Sequence, residues 1–244
     1  MKVWITRIHL WTGLLLGLQV LAWMASGVVM SWFHIEQVRG EHNIATQPVK
    51  TLNTVTPYLD PARLAGLPGA RGARQATLRH LLDRPVYEVE TEEGPRLFDA
   101  VTGERLDPLP EDTARALAAR DFGGEGGIAS AELLKERPAE YRAGLPVWRV
   151  QFTDELNTRI YVSAATGEVT ARRNAIWRLF DFFWMLHIMD YDDRTNFNNP
   201  LIKTASATGF VFALSGLALV LLRLGAGRYM MDLRRLFRLR RRQR

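Results

Sequence analysis

The sequence predicts an α+β membrane protein: two transmembrane helices flank a duplicated unit of helix plus antiparallel β-hairpins, and an aromatic interfacial helix precedes the second span. Three observations carry this. Two apolar runs are long enough to cross a bilayer, a stretch of about sixty residues between them repeats itself, and an aromatic segment with helical spacing separates the second repeat from the second run.

From Leu10 to Phe33 the chain has 24 consecutive residues without a charge. At about 1.5 Å per residue a helix of that length spans a hydrocarbon core of about 30 Å. A second run, Thr204 to Leu222, is uncharged for 19 residues and meets the same criterion. A cleaved signal peptide is the competing reading of the N-terminus. Its apolar region would be shorter and end on small residues, whereas this run ends on Trp32 and Phe33, so an anchor is expected. The spans extend these runs into residues 1–34 and 201–224.

Basic residues set the orientation. Lys2 and Arg7 flank the first span, and nine arginines between Arg223 and Arg244 follow the second against one acid, Asp232. Both termini are therefore expected in the cytoplasm, with residues 34–200 on the far side and 225–244 as a basic tail against anionic lipid. Residues 34–200 hold 20 Lys+Arg and 25 Asp+Glu, so the net +6 of the chain belongs to its membrane edges. No nucleic-acid partner is expected, because no folded region is basic. The absence of cysteine excludes disulfides, thiolate metal sites and thiol nucleophiles, which leaves histidine, methionine or an organic cofactor for any redox centre.

The repeat is read from "RPVYEVETEEGPRLFDAVTGERL" (84–106) and "LPVWRVQFTDELNTRIYVSAATGEVT" (145–170). Both run Pro-Val-aromatic-x-Val, a polar turn, a short apolar strand, then Thr-Gly-Glu. Alternation within each, Val86, Glu88 and Glu90 against Tyr87 and Val89, is the period of a half-buried strand. A helix is expected ahead of each copy, in "DPARLAGL" and in "LPEDTARALAARDF", where Pro110 starts the helix and Glu111 and Asp112 suit its first turn. The repeats occupy 50–107 and 108–173. Within the second, "FGGEGG" (122–127) reads as a flexible joint, since it lacks the Gly-Lys-Ser/Thr of a phosphate loop.

Residues 174–200 contain "WRLFDFFWMLHIMDYDDRTNFNNP". Trp177, Phe180, Trp184, His187 and Met189/Tyr191 recur at three- and four-residue intervals, which gathers aromatics and His187 on one face of a helix lying in the membrane interface. The aspartates after it fit an EF-hand loop at only two positions, with Arg194, Thr195 and Leu201 where a ligand, a glycine and a glutamate belong, so they read as a polar cap and turn. Gly13-x-x-x-Gly17 and Ala205-x-x-x-Gly209 read as helix contact faces, and Gln19 should hydrogen-bond across a helix interface. A homodimer or a partner membrane subunit packed on Gly13 and Gly17 is expected, in addition to the lipid bilayer.

The Tyr-x-Val and Asp-Ala-x-Thr-Gly-Glu pattern resembles the PepSY domain. "RIHLWTGLLLGL" and "WRLFDFFWMLHIMDYDDRTNFNNPLI" resemble the first helix and the approach to the last helix of PepSY-associated transmembrane proteins, through Arg7, His9 and Gly13, and through His187, Met189, Asp190 and Asn199-Pro200-Leu201. Longer members of that family include inner-membrane proteins and ferric-siderophore reductases that hold haem through histidines. The resemblance implies a bacterial inner-membrane protein, haem b as cofactor, and a component of a ferric reductase-like electron-transfer system for iron uptake. Outside that likeness, a non-catalytic periplasmic interaction module or accessory subunit stands as the alternative.

Of five histidines, His42 and His80 read as ordinary side chains of the outer segment. His9 and His34 lie about 37 Å apart along one helix and cannot share an iron. The expected topology puts His34 and His187 on the same side, the intrachain pair open to a haem iron behind an aromatic wall from Trp32, Phe183 and Trp184; the alternative is a docking helix that seats the outer segment on the bilayer, with His187 hydrogen-bonded to a neighbour. His9 is left as an inner cofactor-binding or proton-relay residue, or as a side chain snorkelling beside Arg7.

Overall fold

The computed structural model describes residues 2–48, 51 and 56–225. The basic tail beyond Gly225, and residues 50 and 52–55 at the start of the first repeat, lie outside them. The described residues form two compact units: a helical one within 2–32 and 181–225, and a sheet unit within 33–180.

The helical unit is built on α1 (Lys2–Trp32) and α6 (Pro200–Gly225). Each is apolar enough to cross a bilayer, with an 18-residue window of mean hydropathy 1.8 inside Val3–Trp32 and one of 2.1 inside Pro200–Gly225. Leu14, Leu15 and Leu18 are 73–83% exposed, an apolar surface suited to lipid rather than water. The helices pack antiparallel: His9 lies on Gly216, Gly13 on Phe212, and Leu16 and Trp23 on Gly209. The N-terminal end of α1 and the C-terminal end of α6 therefore share one end of the pair.

Gly13 faces a helix of its own chain: a Cβ there would stand 2.8 Å from the Phe212 ring, while Gly17 faces open space. Gln19 has a partner within the chain, because its Nε2 donates to the carbonyl of Leu186 at 3.2 Å.

In the sheet unit, α2 (Ile35–Arg39) is followed by α3 (Pro61–Leu64), capped by Asp60, and by the antiparallel sheet β1 (Gln75–Leu81), β2 (Arg84–Thr91) and β3 (Gly94–Asp99). Then come α4 (Glu111–Asp121) and a second antiparallel sheet in sequence order, β4 (Ile128–Leu134), β5 (Val147–Phe152), β6 (Arg159–Ser163) and β7 (Val169–Arg173). The alternation in β2 predicts one buried face; part of the other is covered as well. Tyr87 and Val89 pack with Leu64, Ala70 and Phe98, whereas Val86 packs on the other face with Leu81, Leu97 and Leu109. Further along that second face Glu88 is half-buried and Glu90 exposed, as the alternation predicts.

The duplication reaches single hydrogen bonds. After β3 and after β6 the chain makes the same turn, with Gly103 and Gly167 both at φ +75°. The Gly103 and Gly167 amides donate to Asp99 and Ser163 carbonyls at 3.0 and 2.8 Å, and those of Ala100 and Ala164 to Pro85 and Pro146 at 3.0 and 3.2 Å. Side chains at the same two places, Asp99 Oδ1 and Ser163 Oγ, accept from the Thr102 and Thr166 amides. A left-handed φ at these points is open to glycine without the steric cost a Cβ would bring. The copies diverge afterwards: the second continues as β7, whereas the first makes only a bridge between Phe98 and Arg105.

The glycine-rich 122–127 stretch is packed rather than loose. Gly123 lies against the backbone of Ala45 and donates to the Asn43 carbonyl at 2.7 Å, and Gly126 abuts Asp154, so these glycines serve close backbone approach.

Candidate functional site

Among the described residues of the sheet unit, Glu140, in the loop between β4 and β5, centres one of several largely buried ionic groups, beside Asp99 and Asp107. It accepts from Arg159 Nη1 at 2.7 Å, from Tyr161 Oη at 2.6 Å and from Arg178 Nε at 3.2 Å, and Arg173 donates to its carbonyl at 2.8 Å. Burial pushes the Glu140 carboxyl up, but the hydrogen bonds from Arg159 and Tyr161 and the two arginine charges together hold it below the usual range. Burial first, then the bond to Glu140, raises the Tyr161 phenol. Asp99 follows Glu140: burial raises it, while the Thr102 and Val101 amides and Arg84 lower it further. These groups hold loops and turns in place and leave no reactive proton.

Histidine chemistry lies in the helical unit. Helix α5 (Ala175–Ile188) begins in the sheet unit, where Asn174 caps it by accepting from the Trp177 amide at 2.7 Å and donating to Gln37 at 3.0 Å. Its end lies in the helical unit, against α1. The last carbonyls of a helix have no internal partner, and here side chains take three of them. Gln19 bonds Leu186, Trp23 Nε1 bonds His187 at 2.8 Å, and Asn199 Nδ2 bonds Ile188 at 3.0 Å. Met189, just past the end, has φ +53°. In the turn that follows, Asp190 accepts from the Thr195 and Asn196 amides, and Asn199 Oδ1 from Ile202 at 2.9 Å opens α6. Asp181, 4% exposed, pairs with Arg194, whose carbonyl accepts from Trp184 Nε1 at 3.1 Å. Sequence spacing sets Asp181 away from the aromatic face, and its burial follows from that ion pair.

His187 Nδ1 stands 2.8 Å from Ser26 Oγ, and Ser26 is fully buried. Ser26 Oγ also lies 2.9 Å from the Trp23 carbonyl, and with the serine proton on that carbonyl His187 Nδ1 would donate to the oxygen. His9 repeats the device. Its Nδ1 lies 2.9 Å from Ser215 Oγ and 3.3 Å from the Phe212 carbonyl, which can only accept, and Ser215 gives its own proton to that carbonyl at 2.7 Å. The Phe212 ring stacks on His9 at 4.3 Å. A neutral imidazole with its proton on Nδ1 has its lone pair on Nε2, the tautomer in which a histidine ligates a metal through Nε2 while its N–H is held by a neighbour.

The two serine-held histidines lie at different levels of one helix pair. His9 and Ser26 are seventeen residues apart on α1, about 25 Å of helix. His34 belongs to the sheet unit, exposed at the start of α2, where its carbonyl accepts from the Gln37 and Val38 amides. His42 donates to the Glu36 carbonyl at 3.3 Å. Among the described residues no three His, Cys, Asp or Glu side chains gather as a metal-ion site. Were haem bound, His9 and His187 would each offer its iron one imidazole nitrogen. Ser26 and Ser215 were hidden in the sequence, as small residues in apolar runs.

Two bilayer-length helices, a paired sheet unit between them and histidines set in the helical unit define a membrane protein with a PepSY-type domain. The chain belongs to the family of the PepSY-associated TM region, which it matches over residues 6–244. No curated protein and no solved structure matches it.

Proposed function

We propose that this membrane protein is a haem-associated electron-transfer component of the bacterial inner membrane, acting in ferric-iron or siderophore reduction. The observation that supports this reading most is the pair of serine-fixed histidines, each with Nε2 left as a donor. Haem b, when bound, supplies a one-electron carrier. On this reading His187 ligates at the outer level and His9 at the inner one. Ser26 and Ser215 fix the tautomer and raise the basicity of their imidazoles, and Phe212, Trp184 and Phe183 limit water around them.

Protein purified from haem-replete cells is expected to show a Soret band and a reduced-minus-oxidised difference spectrum. His187→Ala abolishes the outer-level signal, and Ser26→Ala weakens haem affinity about tenfold while leaving some bound, as loss of a supporting hydrogen bond does. A colourless parent, or a spectrum indifferent to His9, His34 and His187, would return the protein to the reading of a non-catalytic interaction module.

The same reading places both termini in the cytoplasm and residues 34–200 in the periplasm. A reporter active only in the periplasm is expected to work when fused after Val162 and to fail when fused after Arg244. Activity at Arg244 would reverse the assignment.

A further inference from the structure

The sheet unit has a two-lobed cleft where the repeats meet. One lobe, about 710 Å³, is walled by Leu81, Pro85, Leu106, Leu109 and Pro110 with Thr113 at its side, and the charged pairs Asp83 with Arg84 and Glu104 with Arg105 also line it. The other, about 410 Å³, is lined by Arg79, His80 and Arg120 and by no carboxylate. Leu81 and Leu82 line both. Leu82 sits in the β1–β2 turn at φ +54°, a conformation that L side chains adopt at a cost and in which glycine is relaxed. Glycine there would remove the apolar divider between the lobes.

The charges of the smaller lobe are only partly spent. Arg79 donates through Nε to Glu88 at 2.7 Å and through Nη2 to the Thr166 carbonyl. Arg120 donates through Nε to Gln47 Oε1 at 2.7 Å, and its nearest acid, Asp83 at 3.6 Å, is 85% exposed and so screened by solvent. His80 is half-buried and has no hydrogen bond or ion pair among the described residues.

From this juxtaposition we propose that the cleft binds a small organic anion, a carboxylate or phosphate monoester on an apolar body, with its head against Arg120 and His80 and its body between Leu81 and Leu109. This site is independent of the haem reading. The arrangement matches the usual make-up of a ligand pocket, apolar walls with a few converging polar groups.

Calorimetry on the full chain in nanodiscs, against empty nanodiscs, tests it with octanoate, octyl phosphate, octan-1-ol and acetate. At least one of the two octyl anions is expected to bind ten times more tightly than octanol or acetate, and the tighter one names the head group. Arg120→Gln and His80→Ala should each weaken it about fivefold. Thr113→Trp, which fills the larger lobe without removing a charge, should weaken it tenfold with an unchanged melting temperature. Octanol binding as well as the anions, no binding by either anion, or anion binding indifferent to Thr113→Trp and His80→Ala would overturn the proposal.

Discussion

Gly167→Ala is expected to destabilise the protein by about 3 kcal/mol, and Gly103→Ala, at the same point of the same turn in the other repeat, by about 1.5 kcal/mol. Both glycines have φ +75°, so the cost of a Cβ in a left-handed residue is common to the two. Their surroundings differ. At Gly167 a Cβ would lie 2.5 Å from Leu81 Cδ1 and 2.9 Å from Leu109 Cδ1, both buried where the two repeats join. At Gly103 the nearest atoms are the Leu59 and Leu67 methyls at 3.2 and 3.3 Å, on half-buried side chains that can yield. The difference between the variants therefore measures overpacking at the junction of the repeats. Urea unfolding of the full chain, followed by far-ultraviolet circular dichroism, gives the comparison. Equal losses would mean that the junction relaxes freely.

Glu140→Ala is expected to cost about 2 kcal/mol. Breaking a fully buried pair costs about 3–5 kcal/mol, but Arg159 and Arg178 are 33% and 31% exposed, so water recovers part of what they lose. The variant also changes the pH dependence. Because Glu140 titrates lower in the folded chain than in the unfolded one, its contribution is complete above the ordinary glutamate value of about 4.3, and is lost as pH falls through the folded value. Asp99 acts with the same sign. The parent should lose stability steeply below about pH 4.3, and Glu140→Ala should lose it less steeply. An identical slope in both would show that Glu140 carries no acid sensitivity.

Chemical pattern made some of this architecture legible in the sequence. The spans follow from runs of uncharged residues, and the paired turns from Thr-Gly-Glu, because only glycine takes that φ freely. Helix α4 starts where Pro110, Glu111 and Asp112 indicate. Other parts depend on neighbours that no local pattern names. The glycines of 122–127 look like a hinge until Asn43 and Ala45 are seen against them. Gly13 and Gly17 share a motif but not an environment. Residues His9 and His187 could be singled out as imidazoles near the membrane. Their tautomers could not, since these depend on serines 206 and 161 positions away.

Those separations also set an order of events during synthesis. Gln19, Trp23 and Ser26 emerge within the first 26 residues of the chain, yet their partners Leu186 and His187 lie 161 to 167 residues later. Between the two, the whole sheet unit must be made. Polar side chains inside a bilayer are costly without partners, so α1 waits in a provisional state that water, lipid headgroups or a chaperone must satisfy. The helical unit closes last, when α5 and α6 arrive together.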